Sequence, residues 1–287
     1  MQLRLFSTLA LSIIMTACNS LPSQEIETLS AESLYHKGVE SLAGHGAPRD
    51  TKKALQYFEA ASEKGSPSAD NAIAVIYDEG IGVKSDKHKA LKYYEKAAES
   101  QETSAQYNLA AYYYENDPNH PKLQEYLNHT VASKDTAALN LQARIQLRNK
   151  NFKEAYQLFT KAAWQQNPEA YFYLYIMNQE GKGTQKNKTK ALTYLKKSAE
   201  LQQPNALFTL GSMYLKGEGV HKNPTKAFQL LTEAAKAGHT QAIVNLAIMY
   251  NKGEGVEQNS QKAGQLLEIA AAQGDPQAIR ALKNISN

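Results

Sequence analysis

The stretch that decides the fold is residues 206–240, which read ALFTLGSMYLKGEGVHKNPTKAFQLLTEAAKAGHT. Apolar residues recur at helical spacing until the Gly-Glu-Gly-Val segment at 217–220 interrupts them with glycines, which readily adopt positive φ. Asn223 and Pro224 then supply a cap and a first-turn residue for a second helix, which Gly238 ends. The stretch therefore predicts a hairpin of two helices, and its small Ala residues allow the helices to approach closely.

The same pattern recurs every 36 residues along the chain. Ala170, Ala206, Ala242 and Ala278 keep this spacing, and so do the turn glycines Gly181, Gly217 and Gly253. A fixed period of this length is typical of an array in which each unit packs on its neighbours. We predict an all-α fold, a right-handed α-α superhelix (solenoid) of about seven helix-hairpin repeats, with residues 276–287 as a terminal capping helix.

The repeat resembles the Sel-one-like repeat (SLR) of the tetratricopeptide-like superfamily, whose first helix reads A-x-x-x-L-G-x-x-Y-x-x-G-x-G-V and whose second begins with K-A. The residues that match in one copy are Ala206, Leu210, Gly211, Tyr214, Gly217, Gly219, Val220, Lys226, Ala227, Ala234, Ala235 and Gly238. The resemblance weakens between about residues 101 and 167, where Asn116-Asp117-Pro118-Asn119 replaces the glycine turn. It implies an α-solenoid that binds other proteins.

The start of the chain predicts a targeting segment. Arg4 precedes an apolar stretch at 5–15, which is far shorter than the ~20 residues of a membrane-spanning helix. Residues 15–18, Met-Thr-Ala-Cys, resemble the lipobox of bacterial lipoproteins, which implies cleavage before Cys18 and acylation of that residue. The acyl chains would anchor the protein to a membrane. An ordinary secretory signal is the alternative, and because Cys18 is the only cysteine, no disulfide can form within the chain.

These patterns divide the chain into five segments. They are a lipoprotein signal peptide (1–17), the lipidated Cys with a flexible tether (18–30), N-terminal SLR repeats (31–103), divergent tetratricopeptide-like repeats (104–167), and C-terminal SLR repeats with a cap (168–287). Asn19 follows the cysteine in place of Asp, which by analogy with enteric sorting favours the outer membrane. We expect a lipid-anchored protein that faces the periplasm.

Composition and motifs argue against several classes of function. The net charge is +4, from 32 basic and 28 acidic residues with no long basic run, so we expect no nucleic-acid partner. The Gly-x-Gly segments recur as turns without a preceding strand, and the single Cys and scattered His residues form no zinc motif, so we expect no cofactor and no metal. A Ser-x-x-Lys nucleophile motif is absent, so we expect no catalytic residues and no enzyme activity.

The candidate binding site is an apolar stripe on the first helices of the repeats. By analogy with tetratricopeptide arrays, the third, seventh and tenth residues of each first helix, counted from the repeat's first Ala, face a concave groove. The stripe consists of Tyr107, Tyr114, Phe172, Ile176, Phe208, Leu215, Val244 and Ile248. Such a stripe would receive an extended or helical peptide. The alternative is that these side chains serve local packing.

The sequence thus predicts a non-enzymatic protein-binding scaffold or adaptor of the bacterial envelope. Its partner would be an envelope protein or peptide segment of an export, secretion or cell-wall assembly, held on the concave surface. Two alternatives stay open. One is an enzyme that acts on the cell wall or on β-lactams, and the other is a glycan-binding module for peptidoglycan or exopolysaccharide.

Overall fold

A computed structural model describes residues 23–44, 48–132 and 136–285 of the chain. Every regular element in these ranges is an α-helix. The helices are α1 (Ser23–Thr28), α2 (Ala31–Ala43), α3 (Thr51–Glu63), α4 (Pro67–Glu79), α5 (Lys87–Glu99), α6 (Thr103–Asn116), α7 (Leu123–Ala132), α8 (Thr136–Arg148), α9 (Phe152–Trp164), α10 (Pro168–Glu180), α11 (Lys188–Glu200), α12 (Pro204–Lys216), α13 (Pro224–Lys236), α14 (Thr240–Lys252), α15 (Ser260–Ala272) and α16 (Pro276–Ile285).

Consecutive helices pack as hairpins. The most closely packed pairs are α2–α3, α4–α5, α8–α9, α10–α11, α12–α13 and α14–α15, and most second helices also pack on the first helix of the next pair. The chain divides into two compact units, with the boundary between Thr130 and Val131. The prediction of an all-α solenoid of helical hairpins is confirmed.

Local chemistry places the turns where the sequence pattern predicts them. Gly80, Gly181, Gly217 and Gly253 end their first helices at φ values of 68°, 77°, 77° and 67°, a left-handed conformation that strains other residues. At the start of five second helices, a side-chain oxygen of the cap residue accepts a hydrogen bond from the backbone N–H of the residue three positions later. Each of these hydrogen bonds is 2.9 Å long. These caps are Asp50, Asp86, Asn187, Asn223 and Asn259.

The core consists mainly of the alanines and leucines that recur at repeat positions. In the second unit one cluster joins Leu195 of α11, Leu210 of α12, Leu231 of α13 and Leu246 of α14. Because each of these side chains is at least 95% buried, each contributes roughly 1.5–3 kcal/mol of burial free energy. Packing between neighbouring helices therefore holds the array together.

The structure corrects the predicted flexible tether over its last residues. Residues 23–28 form α1, and Ile26 and Leu29 pack against the core cluster of the first unit. Lys64 Nζ donates to the carbonyls of Ile26 and Leu29 at 2.7 and 2.6 Å, and Ser30 caps α2. The apolar residues of this segment thus have a core to pack against, which the sequence alone did not reveal.

The predicted signal peptide and lipidation residue, Cys18, lie outside the described residues. Over the part of the chain that is described, no helix combines the length and the apolar character that crossing a bilayer requires.

Candidate binding surface

The predicted stripe divides between the two units. Tyr107 and Tyr114 lie on α6 in the first unit, and the other six residues lie on α10, α12 and α14 in the second. Residues three or four apart share one face of a helix, so the positions within each helix point to a common side. Each unit therefore carries its own part of the stripe.

On α10 and α12 the stripe is half-buried. Phe172 and Phe208 both pack against the core cluster of the second unit, as does Leu215. The Phe172 ring lies 5.8 Å from the Tyr175 ring, and the Phe208 ring stacks on His239 at 4.3 Å. Each side chain thus has one side on the core and leaves part of its surface accessible.

On α14 the structure separates two predicted residues. Ile248 is 43% exposed, which makes it available to a partner. Val244 is only 3% exposed and packs in a cluster with Ala270 and Ala278, the latter on the terminal helix α16. The assignment of Val244 to the binding surface is therefore wrong, because α16 provides packing partners that bury it.

In the first unit, Tyr107 and Tyr114 are half-buried on α6. A cleft of about 310 Å³ lies beside them, and it is lined by Tyr112 of α6 together with Asp78 and Glu79 of α4 and Tyr94 of α5. Burial raises the pKa of the Tyr94 hydroxyl, and the negative charges of Asp78 and Glu79 raise it further. Tyr112, rather than the two predicted tyrosines, thus lines this cleft.

The tyrosines at the consensus Tyr position of the repeat are partly or fully buried. Tyr113 is 5% exposed, and burial together with the nearby Glu95 raises its pKa to about 12. Tyr77, Tyr214 and Tyr250 each lie beneath a lysine of the following second helix. The ammonium-to-ring distances are 4.0 Å for Lys89–Tyr77, 4.6 Å for Lys226–Tyr214 and 5.4 Å for Lys262–Tyr250. A cation–π contact thus joins the two helices of these hairpins.

The sequence did not predict a cleft of about 510 Å³ that lies between α11 and α13 in the second unit. Its floor is apolar and includes Leu207, Leu210 and Tyr214 of α12, with Phe228 of α13 at the side. Of these residues, Leu210 and Tyr214 match the repeat consensus. The cleft arises because neighbouring second helices leave space above α12, which no single repeat can show.

A second missed residue is Trp164, the only tryptophan of the chain. It lies at the end of α9 and is 85% exposed. The equivalent position, two residues before the left-handed residue that follows a second helix, holds Glu63, Glu99, Glu200 and Lys236 in four other repeats and Ala272 in the last. An aromatic ring where the other repeats place a charged or small residue is visible in an alignment of the repeats.

Comparison with known families agrees with this architecture. A family model described as Sel1 repeat matches residues 31–66, 67–101, 103–122, 147–167, 168–202, 204–239 and 240–275. These seven segments cover more than half of the chain. The chain therefore belongs to the Sel1 repeat family, and the resemblance drawn from the sequence is confirmed.

Solved structures of other proteins are similar to this fold. A Sel1 repeat protein from Oxalobacter formigenes is 25% identical with a TM-score of 0.67, over 92% of this chain and 78% of that one. The protein c5321, a protective antigen present in uropathogenic Escherichia coli strains, is 28% identical with a TM-score of 0.56, over 89% of this chain and 56% of that one. Yeast Tom70, at 16% identity and a TM-score of 0.54, shares the fold alone. No curated protein matches the sequence.

Proposed function

We propose that this chain is a non-enzymatic protein-binding scaffold that docks an envelope protein or peptide on the first-helix face of its second unit. The observation that carries the proposal is the incomplete burial of apolar side chains on the first helices α10, α12 and α14. Ile176 and Ile248 occupy the same repeat position, Leu215 lies three residues beyond the equivalent position on α12, and Ile248 is 43% exposed. Partly exposed apolar and aromatic side chains aligned along a repeat array are suited to anchoring a peptide.

The predicted lipobox supports a location for this scaffold. Acylation of Cys18 would anchor the chain to the outer membrane on the periplasmic side, where export, secretion and cell-wall assemblies supply partners. Replacing Cys18 by Ser should abolish labelling by a radioactive fatty acid and shift the protein out of the outer-membrane fraction. Unchanged labelling would contradict the lipoprotein assignment.

Site-specific photocrosslinking in cells tests the docking face. A photoreactive residue at Leu215 or Ile248 should give a discrete crosslinked product that mass spectrometry can identify. The same residue at Thr193, which is exposed on the second helix α11, is the matched control and should give none. Equal products from all three positions, or a product from Thr193 alone, would contradict docking on the first helices.

Phe208→Ala distinguishes an anchor from a packing residue. As an anchor, Phe208 should contribute about 2 kcal/mol to partner binding. As a packing residue, its loss should instead lower the free energy of unfolding by roughly 3 kcal/mol or more, with binding per folded molecule unchanged. Measuring binding by calorimetry and unfolding in urea on the same variant separates the two roles.

The rival functions have direct tests. Covalent labelling by a fluorescent penicillin would favour an enzyme, and sedimentation with purified peptidoglycan would favour a glycan-binding module. We expect neither. Either positive result, with no crosslinked protein at Ile248, would replace the scaffold proposal.

A further inference from the structure

The two units carry opposite net charges. Residues 131–287 contain 20 Lys and Arg against 11 Asp and Glu, a formal charge of +9. Residues 1–130 contain 12 Lys and Arg against 17 Asp and Glu, a formal charge of −5. The net charge of the whole chain, +4, conceals this difference. A strong charge asymmetry of this kind indicates that the second unit has an anionic partner.

Most of the positive charge of the second unit lies along one edge, which we call the basic row. It comprises the turn inside each of the hairpins α8–α9, α10–α11, α12–α13 and α14–α15, together with the helix ends that adjoin the turn. The corresponding residues are 148–154, 180–190, 216–226 and 252–262. All twelve of its lysines and arginines are exposed. They are Arg148, Lys150, Lys153, Lys182, Lys186, Lys188, Lys190, Lys216, Lys222, Lys226, Lys252 and Lys262.

Contacts between consecutive turns make the row continuous. Gly183 lies so close to the carbonyl oxygen of Phe152 that a Cβ there would clash, and the Lys182 ammonium lies 5.7 Å from the Phe152 ring centre. Gly255 approaches the carbonyl of Pro224 in the same way. Lys222 Nζ and Glu254 Oε1, in successive turns, are 2.8 Å apart. Between these two pairs of turns, Lys188 and Glu218 line one cleft, so the four turns follow one another along the unit.

The carboxylates of the basic row cannot neutralise it. The row contains Glu154, Glu180, Glu218, Glu254 and Glu257. Even if each of these five pairs with one cation, seven of the twelve cations keep their charge. The equivalent turns of the first unit, residues 48–54, 79–90 and 115–125, carry seven cations and six carboxylates. Excess charge at this edge is therefore a property of the second unit and not of the repeat.

The composition of the basic row indicates the kind of partner. Eleven of its twelve cations are lysines, whose ammonium groups act as point charges, whereas arginines form the bidentate pairs used in specific recognition. None of its aromatic side chains is exposed, so it has no aromatic anchor of the type that dominates protein–protein binding. An extended row of point charges fits a surface on which negative charge is also spread out.

We propose that the basic row binds the anionic headgroups of a lipid bilayer and so lays the second unit against the membrane surface. Each basic residue near an anionic bilayer strengthens binding by a factor of about 5, so a row with several uncompensated lysines suffices for measurable attraction. The proposal does not depend on acylation of Cys18 or on the docking face. A failure of either leaves it intact, and its own failure leaves them intact.

The test is vesicle co-sedimentation of the full chain with Cys18→Ser, which removes any acyl anchor. The vesicles contain either phosphatidylcholine alone or phosphatidylcholine with phosphatidylglycerol. The edge variant carries Lys186→Gln, Lys188→Gln, Lys216→Gln and Lys252→Gln. The matched control carries Lys161→Gln, Lys196→Gln, Lys236→Gln and Lys283→Gln, four lysines of the same unit outside the row. Thermal melts by circular dichroism confirm that both variants fold.

We expect the parent and the control variant to bind the anionic vesicles at low salt, within about threefold of one another. The edge variant should bind at least about 100-fold more weakly, and 0.5 M salt should release the parent. Equal losses in the two variants would overturn the proposal, because net charge alone would then explain binding. Equal binding to neutral vesicles would also overturn it. So would binding to duplex DNA or polyglutamate, but not to anionic vesicles, because the partner would then be another polyanion.

Discussion

Hairpins α12–α13 and α8–α9 have the same architecture but reach it by different local means. In α12–α13, Gly217 ends the first helix at φ 77° and the Asn223 side chain caps the second. In α8–α9 the turn is shorter, Lys150 takes a left-handed conformation at φ 62°, and Asn151 makes no side-chain cap hydrogen bond. The consensus turn chemistry is therefore not required for a hairpin to form.

What the two hairpins share is the burial of their second helices. Leu231 of α13 and Phe159 of α9 are both fully buried, and each lies among alanines at the repeat positions. The Phe159 ring also stacks on Tyr173 of the next helix at 4.6 Å. The comparison indicates that interhelix packing decides the fold and that turn residues adjust its stability.

The largest expected effects test this interpretation directly. Leu231→Ala and Phe159→Ala should each lower the free energy of unfolding by roughly 3–5 kcal/mol, because both leave a cavity in a packed core. Urea unfolding followed by circular dichroism measures the change, with Ile269→Ala, at a 49% exposed position, as the control. A loss below about 1 kcal/mol for Phe159→Ala alone would mean that packing does not hold the divergent hairpin.

Substitutions in the turns of α12–α13 and α8–α9 should change the stability of the protein in opposite directions. Gly217→Val should cost on the order of 1–2 kcal/mol, because a branched side chain is strained at φ 77° and its Cβ would lie 3.3 Å from that of Lys222. Lys150→Gly should stabilise α8–α9 by about 0.5–1 kcal/mol, because glycine relieves the left-handed strain. Unfolding midpoints that move in the same direction for both variants would contradict the turn assignment.

Replacing the residue before the second helix should also affect stability differently in the two hairpins. Asn223→Ala should cost about 1 kcal/mol, because Asn223 Oδ1 accepts the Lys226 N–H at 2.9 Å. Asn151→Ala should change stability by less than about 0.5 kcal/mol, because its side chain donates to Gln146 Oε1 on an exposed surface instead of capping α9. Thermal melts of the two variants under identical conditions decide the matter, and equal losses would show that both residues cap.

The smallest effect concerns the helices that follow the two hairpins. Asn167 caps α10 with a hydrogen bond of 2.9 Å, whereas His239 at the start of α14 makes no such bond and stacks on Phe208. Burial lowers the pKa of His239 below its ordinary 6.5. The unfolded chain then binds a proton more readily than the folded one, so the free energy of unfolding should fall as the pH drops below about 6.5.

The test compares urea unfolding at pH 7 and pH 5 for the parent, His239→Gln and the exposed control His88→Gln. We expect the difference in unfolding free energy between the two pH values to be smaller in His239→Gln than in the parent. We expect the control to match the parent. A pH dependence unchanged by His239→Gln would show that the buried imidazole is not responsible.

Features that depend on residues close together in the chain follow from the amino-acid sequence alone. The 36-residue period, the glycine that ends α12 and the Asn223 cap all follow from local backbone conformation and local hydrogen bonding. These features predicted the hairpins and the family. They predicted which side chains belong to the stripe but not which of those side chains are exposed. A repeat position gives the direction of a side chain but does not show which other residues cover it.

Which surfaces are covered and which are open depends on how the helices pack against one another. Val244 is buried because Ala278 of α16 packs beside it, whereas Ile248, four residues later on the same helix, stays exposed. Ile26 is held because the first unit provides a core for it, and the row of turns is continuous because Gly183 reaches Phe152 of the preceding hairpin. Each of these contacts joins different helices, and most join residues some 30 or more apart in the chain. The free energy of such contacts depends on how neighbouring helices pack, and no local pattern of residues encodes it.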